Sequence, residues 1–121
     1  MTHLLEVKNL NVKFPTRSGI FNAVSGVSFS LGRERLGIVG ESGSGKSMTG
    51  RAILRLIKNP GILEADHIAL EGKDLLTLSE KEMQRVRGHK ISMIMQDPKF
   101  SLNPVMRIGD QICEAYRLHI R

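Results

Sequence analysis

The sequence has no tryptophan, one tyrosine, four phenylalanines and a single cysteine in 121 residues. With so few aromatics, any core must be built from Leu, Ile, Val and Met. The lone Cys113 excludes a disulfide within the chain and points to a reducing compartment. No apolar run approaches the roughly 18 residues that a membrane-spanning helix needs. The opening MTHLLEVKNL has no basic head followed by an apolar stretch, so it does not read as a secretory signal. Long runs of Lys and Arg are missing too. The net charge of +6 is scattered over positions such as Lys13, Arg17, Arg33, Arg35, Arg85, Arg87 and Lys90, with no aromatics between them. That pattern reads as a solvated surface, and nucleic acid is not an expected partner. The histidines, His3, His67, His89 and His119, show no metal-ligand spacing. What is present is ordinary for a small globular domain: 40% hydrophobic and 25% charged residues.

Along the chain, LLEVKNLNVKF alternates unevenly between apolar and polar residues and predicts a strand ending at Pro15. TRSG is a turn, and AVSGVSFSL predicts a second strand with an irregularity at Gly26. RLGIVG is a short apolar run bounded by Arg35 and Gly40, the pattern of a buried central strand. From Lys46 to Lys58 the spacing turns helical, with Met48, Ala52, Ile53, Leu56 and Ile57 on one face and NPG as the stop. HIALEGKDL predicts a strand and a turn at Gly72. Ser79 and Glu82 form a capping-box pattern that opens a helix. ISMIM predicts another buried strand, QDPKFSLNP a loop, and Ile108, Ile112, Ala115, Tyr116 and His119 a final helix.

One stretch carries chemistry. Residues 40–47 read G-E-S-G-S-G-K-S, which fits the phosphate-binding pattern G-x-x-x-x-G-K-[ST], between a predicted strand and a predicted helix. Gly40, Gly43 and Gly45 let the backbone fold so that successive N–H groups, with those of Glu41, Ser42 and Ser44, face inward. The positive end of the following helix adds to this anion cradle. Lys46 can reach β- and γ-phosphate oxygens. The Ser47 hydroxyl is a hard donor suited to Mg²⁺. A plain Gly/Ser surface loop with a solvated lysine is the bland alternative. The motif speaks for nucleotide binding and says little about which reaction follows.

With this loop and MIMQDPKFSLNP both in view, the chain resembles the ATP-binding-cassette transporter ATPases, closest to the branch that energises uptake of peptides or nickel. The pieces that match are LLEVKNLNVKF, AVSGVSFSL, LGIVGESGSGKSMTGRAIL, GKDLLTLSEKEMQRVRG and ISMIMQDPKFSLNPVMRIGDQI. The resemblance implies an α/β phosphate-loop NTPase fold with an N-terminal antiparallel β subdomain. Residues 1–121 would be the N-terminal part of a single nucleotide-binding domain, ending before the signature and Walker B segments. It implies ATP and Mg²⁺ as cofactors, Phe14 as the aromatic stacking on adenine, and Lys46 and Ser47 as phosphate and magnesium ligands. Met48 stands where many relatives have a hydroxyl residue, so only its backbone N–H is left for phosphate. Gln96 would contact Mg²⁺ and the attacking water, and residues 97–109 would meet the transmembrane permease subunits. A second ATPase domain would complete the site in a dimer, peripheral on the inner face of the cell membrane. Asp97 is open to a rival reading as a magnesium-binding aspartate; the following PKFSLNP fits the glutamine loop better, with Asp97 capping a turn.

The LSGGQ-like segment, the apolar strand ending in Asp-Glu and the distant histidine of that family do not occur in these residues. The chain alone is therefore expected to bind Mg-ATP weakly and to hydrolyse negligibly. A nucleotide-binding module without transport activity remains the alternative, and a small-molecule kinase is a third reading for which no arginine-bearing lid is evident.

Overall fold

The computed structural model describes residues 3–40, 45–94 and 102–119. The chain divides into two compact units, residues 1–78 and 79–121.

Among the described residues the first unit is an antiparallel sheet with one α-helix. Strands β1 (Leu5–Thr16) and β2 (Gly19–Leu31) form a long hairpin. Its turn is closed by the Thr16 hydroxyl donating to the Gly19 carbonyl at 2.6 Å. On its other side β1 pairs first with β4 (His67–Leu70) and then with β3 (Ile62–Glu64), both antiparallel and in one continuous register. A tight turn at Glu71 and Gly72, both at positive φ, leads to β5 (Lys73–Asp74), which pairs with β4.

β1 shows why its alternation looked uneven. Its buried side chains are Val7, Leu10 and Val12, spaced three and then two apart. A bulge between Val7 and Leu10 supplies the extra residue, and Asn9 takes it up at φ 53, a conformation Asn tolerates. The Asn9 N–H donates to Ser28 Oγ at 2.8 Å, while Asn11 Oδ1 accepts from the Gly26 N–H at 3.0 Å. The expected irregularity at Gly26 is therefore a paired feature of both strands. Without the bulge, every apolar side chain beyond it would turn to the opposite face.

Helix α1 (Lys46–Ile53) presents Thr49, Ala52 and Ile53 inward. It is shorter than its apolar spacing predicts, because Arg55 sits at φ 55 and ends it. The N–H groups of Arg55 and Leu56 donate to the carbonyls of Ala52 and Arg51, a C-terminal motif in which this position usually holds glycine. The Arg55 guanidinium then donates to the carbonyls of Leu75 and Leu78, at 3.1 and 2.6 Å. These flank a 3-10 turn at Leu75–Thr77 whose Asp74 caps the Leu76 N–H at 3.0 Å.

Two expected strands are not observed. Residues 35–40 follow no strand geometry, and Leu36, Ile38 and Val39 are exposed, Val39 by 94%. Of the described residues 91–94, only Ile91 makes a bridge, to Arg87, and Ile94 is 89% exposed; Met95 lies outside the described residues. An apolar run becomes a strand only when neighbouring strands accept its backbone hydrogen bonds, and no described strand pairs with residues 35–40.

The second unit contains α2 (Glu80–Val86) and α3 (Ile108–His119). The capping box on α2 forms as its sequence predicts: Ser79 Oγ accepts from the Glu82 N–H and Glu82 Oε1 from the Ser79 N–H, both at 3.2 Å. Arg87 closes back on Glu80 at 2.6 Å. α3 is the predicted final helix, but its apolar stripe is uncovered, with Ile108, Ile112, Tyr116 and Leu118 all exposed. The His119 ring stacks on His89 with centroids 5.7 Å apart. Among the described residues no helix is long and apolar enough to cross a membrane.

Candidate phosphate-binding site

The site grows from the start of α1. Gly45 is the residue before the first helical turn and has φ 95. A Cβ built there would lie 2.6 Å from the Ala23 carbonyl oxygen of β2 and 3.4 Å from Val24 Cγ2. Backbone conformation and close approach both demand glycine, and the contact fixes the helix N-terminus against the sheet.

The Gly45 carbonyl is turned into the helix. It accepts from the Thr49 N–H at 2.9 Å and from the Thr49 hydroxyl at 2.8 Å. Thr49 is 5% exposed, the one buried polar residue among the described residues. No side chain caps the helix from Gly45. Within the helix the first N–H groups of α1 have no carbonyl partner, and the positive end of the helix dipole lies behind them. Lys46 and Ser47 are exposed at this end, and Met48 is half-buried. The Lys46 ammonium donates to the Gly40 carbonyl, bringing the two ends of the motif together. Beneath them a cavity of about 320 Å³ is lined by Val27, Phe29, Leu36, Ile38, Lys46 and Thr49.

Gly40, Gly45, Lys46, Ser47 and Met48 thus gather at one helix end. Glu41, Ser42, Gly43 and Ser44 lie outside the described residues, as do Gln96 and Asp97. Phe14 belongs to β1 near the hairpin turn. It is half-buried, and Gly61 lies against its ring. Of the segment expected to meet a permease, residues 102–109 are described. The Gln111 side chain fixes their turn, accepting from the Asn103 N–H at 3.0 Å and donating to the carbonyls of Asn103 and Met106 at 3.0 and 3.1 Å.

Sequence reasoning missed Thr49 and Gln111. Thr49 had a signal: a hydroxyl residue four positions after the helix-opening glycine can bond back to its carbonyl. Gln111 had none, because its partners are backbone atoms of an irregular loop.

The described donor set fits a phosphate: the amides that open α1, one ammonium group and one hydroxyl. Among the described residues no group of three or more His, Cys, Asp or Glu could hold a metal. A single hydroxyl is the donor set that fits Mg²⁺ carried in on phosphate oxygens, since that ion keeps several waters and takes few protein ligands.

Comparison with known proteins defines the class. The ABC transporter family matches residues 24–119, and the chain belongs to that family. Its relatives include the oligopeptide transport ATP-binding protein OppD of Bacillus subtilis, 54% identical over 121 residues, covering 98% of this chain and 34% of that protein. The dipeptide transport ATP-binding protein DppD of Lactococcus lactis is 50% identical over 118 residues, 96% of this chain and 34% of its own length. OppD of Haemophilus influenzae is 48% identical over 120 residues, 98% of this chain and 37% of its own length. The chain therefore spans about a third of the length of these curated relatives.

Proposed function

We propose that this chain binds ATP with Mg²⁺ at the start of α1, as the nucleotide-holding part of a peptide importer's ATPase subunit. The observation that carries the reading is the N-terminus of α1, set by Gly45 against Ala23, with the Lys46 ammonium on the Gly40 carbonyl. In this reading the amides of residues 45–48 and the Lys46 ammonium hold the phosphate oxygens. Lys46 exchanges the Gly40 carbonyl for a phosphate oxygen. The Ser47 hydroxyl, with Gln96, holds Mg²⁺, which supplies charge neutralisation on the β- and γ-phosphates. The Phe14 ring stacks on adenine.

The name shared by the relatives favours peptides over nickel as the cargo. Transport then involves transmembrane permease subunits, met through residues 97–109, and a second ATPase domain that completes each site. The working location is the inner face of the membrane, reached through the permease. Phosphoryl transfer needs both halves of the charge-stabilising apparatus, so these residues alone bind ATP and turn it over negligibly.

The test is Lys46→Ala. ATP affinity should fall at least about tenfold, the loss of one charge-assisted contact of about 1.5–3 kcal/mol. Thermal stability should hardly change, because the side chain is exposed. Equal affinity in the variant contradicts the site, and steady-state hydrolysis by the chain alone contradicts the division of labour.

A further inference from the structure

The sheet register gives Phe14 two different neighbours. Across one ladder it faces Phe21 of β2. Across the other, β3 pairs Lys13 with Ile62, so the next position opposite Phe14 is Gly61. Gly61 closes a turn in which its N–H donates to the Lys58 carbonyl at 2.8 Å. A Cβ on Gly61 would lie 2.7 Å from Phe14 Cε1, 2.6 Å from Ile57 Cγ2 and 2.9 Å from the Lys58 oxygen. Its φ is not in the left-handed region, so conformation alone does not demand glycine here. Space does, and the space is filled by the Phe14 ring, the Ile57 side chain and the Lys58 carbonyl.

We propose that Gly61 and Ile57 are positioning residues for Phe14. The segment leaving α1 forms a seat that fixes where the ring lies and so sets how well the site accepts the base of its nucleotide. The inference rests on the assignment of Phe14 to the base. The seat joins two parts of the site through one short segment, since α1 begins at the phosphate-binding end and the residues following it reach the ring. A methyl group at Gly61 displaces the ring, whereas removing most of the Ile57 side chain leaves it loosely held. Neither change touches the phosphate-binding amides.

The experiment compares binding of ATP and of inorganic tripolyphosphate, which has no base, by isothermal titration of the chain and its variants. Gly61→Ala and Phe14→Ala should each weaken ATP by about tenfold, within the range of base–aromatic stacking. Ile57→Ala should weaken it by about threefold. Tripolyphosphate affinity should stay unchanged in all three. Adding Gly61→Ala to Phe14→Ala should have no further effect on ATP, because the two act through one ring. If Phe14→Ala weakens ATP while Gly61→Ala and Ile57→Ala do not, the seat is overturned and the base contact stands. If Phe14→Ala leaves ATP binding intact, the base contact fails and the seat with it. A matching loss of tripolyphosphate binding in Gly61→Ala shows a general structural effect and also overturns the proposal. Should Gly61→Ala not fold, Ile57→Ala decides by the same comparison.

Discussion

Gly45 bears two demands at once, a left-handed backbone and an approach to Ala23 too close for a side chain. Gly45→Ala should therefore cost at least about 2 kcal/mol, from conformational strain plus displacement of neighbouring backbone. Chemical denaturation measures it, and a loss under 0.5 kcal/mol, the ordinary scatter of surface changes, would show that the contact yields easily. Arg55 is the converse case, a side chain retained where glycine is usual. Arg55→Ala should lose about 1–3 kcal/mol through its bonds to the Leu75 and Leu78 carbonyls. Arg55→Gly should lose about 1 kcal/mol less, because the strain at φ 55 is relieved. Identical losses in the two variants would mean that the backbone there is unstrained. Glu34 gives a pH dependence. Its carboxylate accepts from the Gly32 N–H at 2.9 Å, and this bond, followed by its own backbone N–H, holds its pKa below the usual value. Stability from this turn is fully present above the ordinary carboxylate range and is lost as pH falls through the lowered folded-state value. A carboxyl NMR titration should show a midpoint below that of a model Glu; a midpoint at or above it contradicts the assignment.

The elements divide by how local their causes are. α2 was legible because Ser79 and Glu82 cap it within a single turn, needing nothing from elsewhere. The β1–β2 hairpin was legible from TRSG and the two flanking apolar patterns, and the bulge at Asn9 accounts for the uneven spacing. The end of α1 was not legible at Arg55, because arginine is a helix former and its left-handed backbone is sustained by carbonyls twenty or more residues away. Strands at 35–40 and 91–95 were expected from apolar runs alone, and such runs record only that burial is favourable. Whether they pair depends on partner strands that a local pattern cannot specify. The motif pointed to Gly45, Lys46 and Ser47, which lie together at the start of α1, while the approach of Gly61 to Phe14 could not be read, since it depends on the register of β3 against β1. At this scale, Leu10→Ala should cost about 2–5 kcal/mol, as Leu10 is fully buried at the centre of the sheet. Denaturant unfolding would contradict this with a loss below about 1 kcal/mol.

For the whole molecule, the balance of covered and uncovered apolar surface matters most. Leu36, Ile38, Val39 and Ile94, with Ile108, Ile112, Tyr116 and Leu118 on α3, expose more large apolar groups than a small monomer usually does. Purified chain should self-associate with rising concentration, measurable by sedimentation velocity; a sharp, concentration-independent monomer peak would contradict this. Membership of the ABC transporter family and relatives named for peptide transport give the molecule its context. The physical claim beneath the proposed role is narrower: the amides opening α1, with the Lys46 ammonium, receive phosphate. Amide NMR shifts on titration with Mg-ATP and with inorganic tripolyphosphate test it most directly. Both ligands should produce their largest changes at Gly45, Lys46, Ser47 and Met48. Saturable ATP binding that leaves those four amides unmoved would contradict it.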